Sequence, residues 1–160
     1  MKVPNEAKII FGEQNIVNVE LYVDTYANYL YSKGITTNTP FGIYVDRSPE
    51  CLFVMLAAIK IGVPFMPIDI SLPYDRICFM LQDSDIKHLI TSKKYEQQFN
   101  EYQTICIDDV VVDNLTSPFI SEQQKNETIY ILYTSGSTGS PKGVEIRRDG
   151  FFAFIDGVSK

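Results

Sequence analysis

The stretch Phe41-Gly42-Ile43-Tyr44-Val45-Asp46-Arg47-Ser48-Pro49-Glu50-Cys51 runs on through apolar residues to Ile61-Gly62-Val63-Pro64-Phe65-Met66-Pro67-Ile68. It reads as strand, helix, strand. Phe41 to Val45 is a buried run of strand length. Ser48 then offers a hydroxyl to the free N–H groups of a helix start. Pro49 takes the first helical position, where no N–H is needed, and Glu50 places an acid in the first turn. The helix that follows is apolar on nearly every side up to Ile61, so more than one layer covers it, and Gly62 breaks it. Val63 to Ile68 is the next strand.

The same alternation extends in both directions. Upstream, Lys8-Ile9-Ile10-Phe11 closed by Gly12 reads as a strand. From Asn18 onward, Val23, Tyr26, Ala27 and Leu30 recur at i, i+3, i+4 and i+7 before Gly34 supplies a stop. Downstream, a helix begins near Pro73 and turns Ile77, Met80 and Leu81 inward, and strands follow at Lys87 to Thr91 and Ile105 to Ile107. The polar, aperiodic stretch 113–126 is expected to be a surface loop. Thr128 to Tyr133 is again a strand, then comes a loop rich in Ser, Thr and Gly, then a short strand from Gly143 to Ile146. A last helix opens near Asp149 and places Phe151, Phe154, Ile155 and Val158 on one face. Strands separated by helices imply an α/β fold: a doubly wound, mostly parallel sheet with helices on both faces. Ligands of such sheets bind at the carboxyl ends of strands.

Composition narrows the function. The chain has 160 residues, 45% hydrophobic and 21% charged, which excludes a disordered or fibrous protein. Fourteen Lys and Arg against 20 Asp and Glu leave a net charge of −6, without the footprint for nucleic acid or an anionic membrane. Cys51, Cys78 and Cys106 sit in apolar runs and read as buried thiols of a reducing compartment. The start Met1-Lys2-Val3-Pro4-Asn5-Glu6 lacks the apolar core of a signal peptide, so a cytoplasmic location is expected. Asn114-Leu115-Thr116 and Asn126-Glu127-Thr128 match the glycosylation tripeptide, a pattern common by chance.

One loop carries conspicuous chemistry: Thr134-Ser135-Gly136-Ser137-Thr138-Gly139-Ser140-Pro141-Lys142-Gly143. It follows the apolar strand Ile129-Tyr130-Ile131-Leu132-Tyr133 directly, which argues against a Ser/Gly linker. Glycines let backbone N–H groups approach a phosphate, hydroxyls donate to its oxygens, and Lys142 adds charge on a flexible stem. The loop is not a Walker A motif, because Pro141 precedes Lys142 and Gly143 follows it. It also lacks the first Gly-x-Gly pair of a dinucleotide fingerprint.

The segment from Tyr133 to Gly143 resembles the phosphate-loop signature of adenylate-forming enzymes, the superfamily of acyl-CoA synthetases, firefly luciferase and peptide-synthetase adenylation domains. Arg47-Ser48-Pro49-Glu50, Ala58-Ile59-Lys60-Ile61-Gly62 with Pro67-Ile68-Asp69, and Pro73-Tyr74-Asp75-Arg76-Ile77 with Met80-Leu81 and Asp83-Ser84 resemble peptide-synthetase segments. Peptide-synthetase and D-alanyl-carrier ligase types fit better than acyl-CoA synthetases. The resemblance spans about Pro4 to Lys160. It implies activation of an amino or carboxylic acid by ATP and Mg²⁺, giving an acyl-adenylate and pyrophosphate. The acyl group then passes to a phosphopantetheine thiol on a carrier protein, or to CoA. It further implies that Thr134, Ser135, Ser137 and Thr138 donate hydrogen bonds to the β- and γ-phosphates. Gly136 and Gly139 would allow close approach, and Lys142 would offset charge. The segment from Ser135 to Ser140 is also expected to be mobile without nucleotide.

The superfamily's later motifs, for adenine, ribose, Mg²⁺ and the C-terminal lysine, have no counterpart in these residues. The expectation is an N-terminal third of such an enzyme, inactive alone, whether an excised piece, a truncated frame or a natural half. Self-association of its uncovered faces is expected as well. In Glu145-Ile146-Arg147-Arg148 the chain departs from relatives that carry a His near Arg147. The alternative function is a non-catalytic binding module or pseudo-enzyme half that uses the fold for protein contact. No catalytic or metal-ligating residue is assigned. His88, the only histidine, reads as structural or surface, Asp69 as a turn residue, and Asp108-Asp109 as solvated acids. Tyr22, Tyr29 and Tyr31 read as half-buried helix packing.

Overall fold

The computed structural model describes residues 7–36, 39–113, 117–120, 125–135 and 141–158. The central unit is as expected. Strand β3 (Phe41–Tyr44) leads to helix α2 (Pro49–Ile61) and returns as β4 (Phe65–Pro67), parallel to β3 with Phe41 beside Phe65. Ser48 caps α2 by accepting the Cys51 N–H at 3.2 Å, and Gly62 ends it at φ 89. A left-handed φ suits glycine, and a Cβ at Gly62 would lie 2.9 Å from the Lys125 backbone. The Gly62 carbonyl also accepts the Asn126 N–H at 2.9 Å, so this helix end seats the chain entering the sheet's far side. Gly62→Ala is therefore expected to cost roughly 1–3 kcal/mol, read as a shifted urea midpoint with unchanged slope.

Around this unit lie α1 (Val19–Ser32), α3 (Tyr74–Asp83), β5 (His88–Thr91), β6 (Gln103–Cys106), β7 (Thr128–Ser135), β8 (Pro141–Arg147) and α4 (Arg148–Val158). The sheet runs in the order β6-β5-β3-β4-β7-β8. Its first five strands are parallel, and only β8 runs antiparallel, paired with β7. The order reverses between β3 and β4, since β4 continues one way and β5 lies on the other side of β3.

Strand pleating divides the core into two layers. Phe41, Ile43, Phe65, Ile90 and Ile105 face one side, where α1 and α2 supply Val23, Leu30, Phe53, Val54 and Ala58. Tyr44, Met66 and Leu89 face the other, under Ile77, Met80 and Leu81 of α3. Gly42 lies on that second side because a Cβ there would sit 2.7 Å from Leu89. Helices on both faces confirm the expected architecture.

Several details differ from the sequence reading. The first strand, β1 (Ile9–Phe11), does not enter the main sheet but forms a separate hairpin with β2 (Gln14–Ile16). Of the three thiols only Cys106 is buried; Cys51, which lines an open cleft, and Cys78 are half-buried. In α4, Phe151 packs edge-on against Tyr130, joined by Phe152, while Phe154 is 68% and Val158 67% exposed. Tyr22 stacks on Phe53, and Tyr29 donates to the Cys106 carbonyl at 2.8 Å, whereas Tyr31 is exposed. Within the stretch 113–126, Phe119 is buried and its N–H donates to Asp24 at 2.9 Å.

Candidate functional site

The site is built on the β7–β8 hairpin. Strand β7 lies beside β4, with Tyr130 at the level of Phe65, so its carboxyl end emerges on the same edge as those of β3 and β4. Thr134 and Ser135 are its last residues, in register with Lys142 and Pro141 of β8. All three candidates Thr134, Ser135 and Lys142 are exposed. Lys142 makes no ion pair or hydrogen bond among the described residues, which leaves its ammonium available to an anion. Gly136, Ser137, Thr138 and Gly139 lie outside the described residues, as does the segment whose mobility was expected apart from Ser135, the last residue of β7. The structure thus brings the two stems of the loop together, with hydroxyls on one and a cation on the other.

A set of contacts the sequence reading missed ties these stems to the rest of the sheet. The Tyr133 hydroxyl donates to Asp83 Oδ2 at 2.6 Å and lies 2.8 Å from Ser84 Oγ, both at the end of α3. Burial, followed by the bond to Asp83, pushes the Tyr133 phenol up to about 12. Its ring lies over Gly143, where an added Cβ would come within 3.1 Å of Cζ. The signal was present in part, because Tyr133 and Gly143 bound the loop motif and Asp83-Ser84 belongs to another quoted segment. Their contact was not readable, because it crosses fifty residues of chain.

At the carboxyl ends of β3 and β4, where the strand order reverses, a cleft of about 790 Å³ is lined by Val45, Arg47, Cys51, Met55, Ile68 and Asp69, among others. Such reversals are where open α/β sheets receive ligands. Asp69 holds a turn by accepting the Ser71 N–H at 2.9 Å and hydroxyl at 2.8 Å, bonds that lower its pKa. This agrees with the structural reading of that residue. Asp108 and Asp109 are not merely solvated: Asp108 accepts the Lys93 N–H at 2.7 Å and Asp109 pairs with the Lys93 ammonium at 3.2 Å. Among the described residues no group of three His, Cys, Asp or Glu converges as a metal site. After the loop, Arg147 pairs with Glu127 at 2.8 Å, and Arg148 donates from Nε to the Asn126 carbonyl at 3.0 Å. Both arginines of the departing segment therefore serve the hairpin base.

The fold is an open, mostly parallel α/β sheet that matches the N-terminal subdomain of adenylate-forming enzymes. O-succinylbenzoate coenzyme A synthetase from Bacillus subtilis, solved with AMP, superposes with TM-score 0.79 at 24% identity over 95% of this chain and 42% of that one. The Klebsiella oxytoca NpsA N-terminal subdomain gives TM-score 0.74 at 24% identity over 90% of this chain and 38% of its own. Residues 4–159 match the AMP-binding enzyme family, and the chain belongs to it. In sequence it is 39% identical over 149 residues to tyrocidine synthase 3 of Brevibacillus parabrevis, covering 91% of this chain and 2% of that protein. It is 32% identical over 165 residues to bacitracin synthase 3 of Bacillus licheniformis, covering 98% and 3%. The chain therefore spans only a small part of the peptide synthetases it matches. No described helix is long and apolar enough to cross a membrane.

Proposed function

We propose that this chain is the N-terminal, phosphate-handling portion of an ATP-dependent enzyme that adenylates an amino or carboxylic acid. In the reaction the acid's carboxylate oxygen attacks the α-phosphorus of ATP, the α–β phosphate bond breaks, and pyrophosphate leaves. A thiol, on carrier-borne phosphopantetheine or on CoA, then takes the acyl group and releases AMP. The observation that carries this reading is the hairpin itself. A hydroxyl-bearing strand end and a Lys142 with no ion pair among the described residues flank a Gly/Ser loop at the carboxyl edge of a sheet with this family's fold. The fit to polyphosphate is direct, because Thr134 and Ser135 are donors and Lys142 is a cation with no competing partner among the described residues.

Two further findings support the reading. A relative of the same fold has been solved with ATP and magnesium ion. The sequence relatives are peptide synthetases, which favours amino acids and a carrier thiol over CoA. Magnesium, in this reading, arrives on the phosphates. The residues of this chain bind and orient the β- and γ-phosphates and stabilise the charge on departing pyrophosphate.

The test is carboxylate-dependent exchange of labelled pyrophosphate into ATP. The purified 160-residue chain is expected to show none, because most of a bound nucleotide's surface stays in water. The same chain joined to the remaining part of an adenylation domain is expected to exchange, and Lys142→Ala is expected to weaken its apparent ATP affinity about tenfold. Exchange by the chain alone contradicts its inactivity. A joined protein that folds yet exchanges with no acid supports the non-catalytic binding module instead.

A further inference from the structure

Thr134, Ser135 and Lys142 stand on the two stems of the β7–β8 hairpin, and other residues hold those stems in place. The alternation along β7 sends Thr134 to one face of the hairpin and Tyr133 to the other, and Tyr133 stands opposite Gly143 in the ladder. Three contacts converge on that one ring. Its hydroxyl donates to Asp83, Ser84 meets the same oxygen, and its face covers the backbone of Gly143, one residue beyond Lys142. The end of α3 that receives it is itself tied by backbone hydrogen bonds. Ser84 N–H bonds to the Met80 carbonyl, Ile86 N–H bonds to the Leu81 carbonyl, and Asp85 is held at φ 50. Met80, Leu81 and Ile86 are buried in the layer that Ile131 and Tyr133 also join.

We infer that Tyr133 is a positioning residue: through Asp83, Ser84 and Gly143 it clasps both stems of the loop onto α3 and so sets the spacing between the Thr134–Ser135 hydroxyls and Lys142. The inference rests on the proposed phosphate reading, and it gives Gly143 a role distinct from phosphate approach. A side chain there would displace the ring that joins the two strands. β8 runs antiparallel because the short connection from Ser135 to Pro141 permits only a direct return, and that return sets Gly143 against Tyr133.

Hydrogen exchange and pyrophosphate titration, both followed by ¹⁵N NMR on the 160-residue chain, decide it. Tyr133→Phe keeps the ring over Gly143 and removes only the hydroxyl. It is expected to speed exchange at the hydrogen-bonded stem amides of the β7–β8 ladder by about tenfold, the usual effect of losing a hydrogen bond to a charged group. Core amides at Ile43 and Ile90 are expected to keep their rates. Inorganic pyrophosphate, bound weakly by the unaltered chain, is expected to bind several-fold more weakly still. Asp83→Asn, whose amide oxygen still accepts the phenol proton, is expected to retain most of the protection. Asp83→Ala is expected to lose it, with no further loss when combined with Tyr133→Phe.

Unchanged stem exchange in Tyr133→Phe, or an equal rise at the core amides, overturns the inference. So does pyrophosphate binding that Tyr133→Phe leaves unaltered. Stem protection that depends on Tyr133 in a chain that pyrophosphate does not perturb upholds the clasp and overturns the phosphate reading instead.

Discussion

Replacing Asp24 with alanine is expected to lower the unfolding free energy by about 3–5 kcal/mol, the range for breaking one side of a buried ion pair. Asp24 is 5% exposed at the contact of α1 with α2. Its carboxylate pairs with the Lys60 ammonium and also accepts the Phe119 N–H at 2.9 Å. The Lys60 side chain is itself only 16% exposed, and its second acidic neighbour, Glu20, is 3.9 Å away. Truncation therefore strands a charge and an N–H together, and neither reaches water easily. Phe119 loses its tether in the same step, and with it the ring contact to Tyr31. Urea unfolding measures the loss, and a value below about 1 kcal/mol contradicts the assignment. Changing both partners to apolar residues, Asp24→Leu with Lys60→Met, is expected to recover part of the stability, since the cost of burying the charges disappears while the Phe119 N–H stays without its acceptor.

The second large effect is on association. Leu132 and Val144, partners across the β7–β8 ladder, are 41% and 44% exposed, and Phe154 and Val158 of α4 are more exposed still. All four belong to the same end of the sheet. The purified chain is expected to form dimers at tens of micromolar by covering this apolar surface with a second copy, against the repulsion of net charge −6. Phe154→Asp removes one large apolar group per subunit, each worth ~1.5 kcal/mol or more. The dimer dissociation constant is then expected to rise about a hundredfold. Sedimentation equilibrium reads both results, and a monomeric wild-type chain contradicts the proposal.

Much of this protein was legible because the determining signals are local. Ser48, Pro49 and Gly62 specify both ends of α2 through hydrogen bonds and dihedral angles within a few residues. Val23, Tyr26, Ala27 and Leu30 mark the buried face of α1 by spacing alone. The Gly/Ser loop before Lys142 raised the phosphate reading proposed above because its donors, small residues and cation are contiguous in sequence. Period-2 and period-3.6 patterns likewise implied parallel strands with helices on both faces.

What only the tertiary structure decided are the pairings between distant segments. Strand order is one, because β1 and β5 are both short apolar runs, yet β1 joins a separate hairpin and β5 lies beside the central strand. Asp24 with Lys60, thirty-six residues apart, and Tyr133 with Asp83, fifty apart, are others. An isolated acid or tyrosine in a sequence carries no record of the partner that will desolvate it or accept its proton. The apolar stripe of α4 shows the same limit, since Phe151 found Tyr130 while Phe154 found no cover. Periodicity tells which residues share a face, whereas burial depends on what the rest of the chain brings against that face.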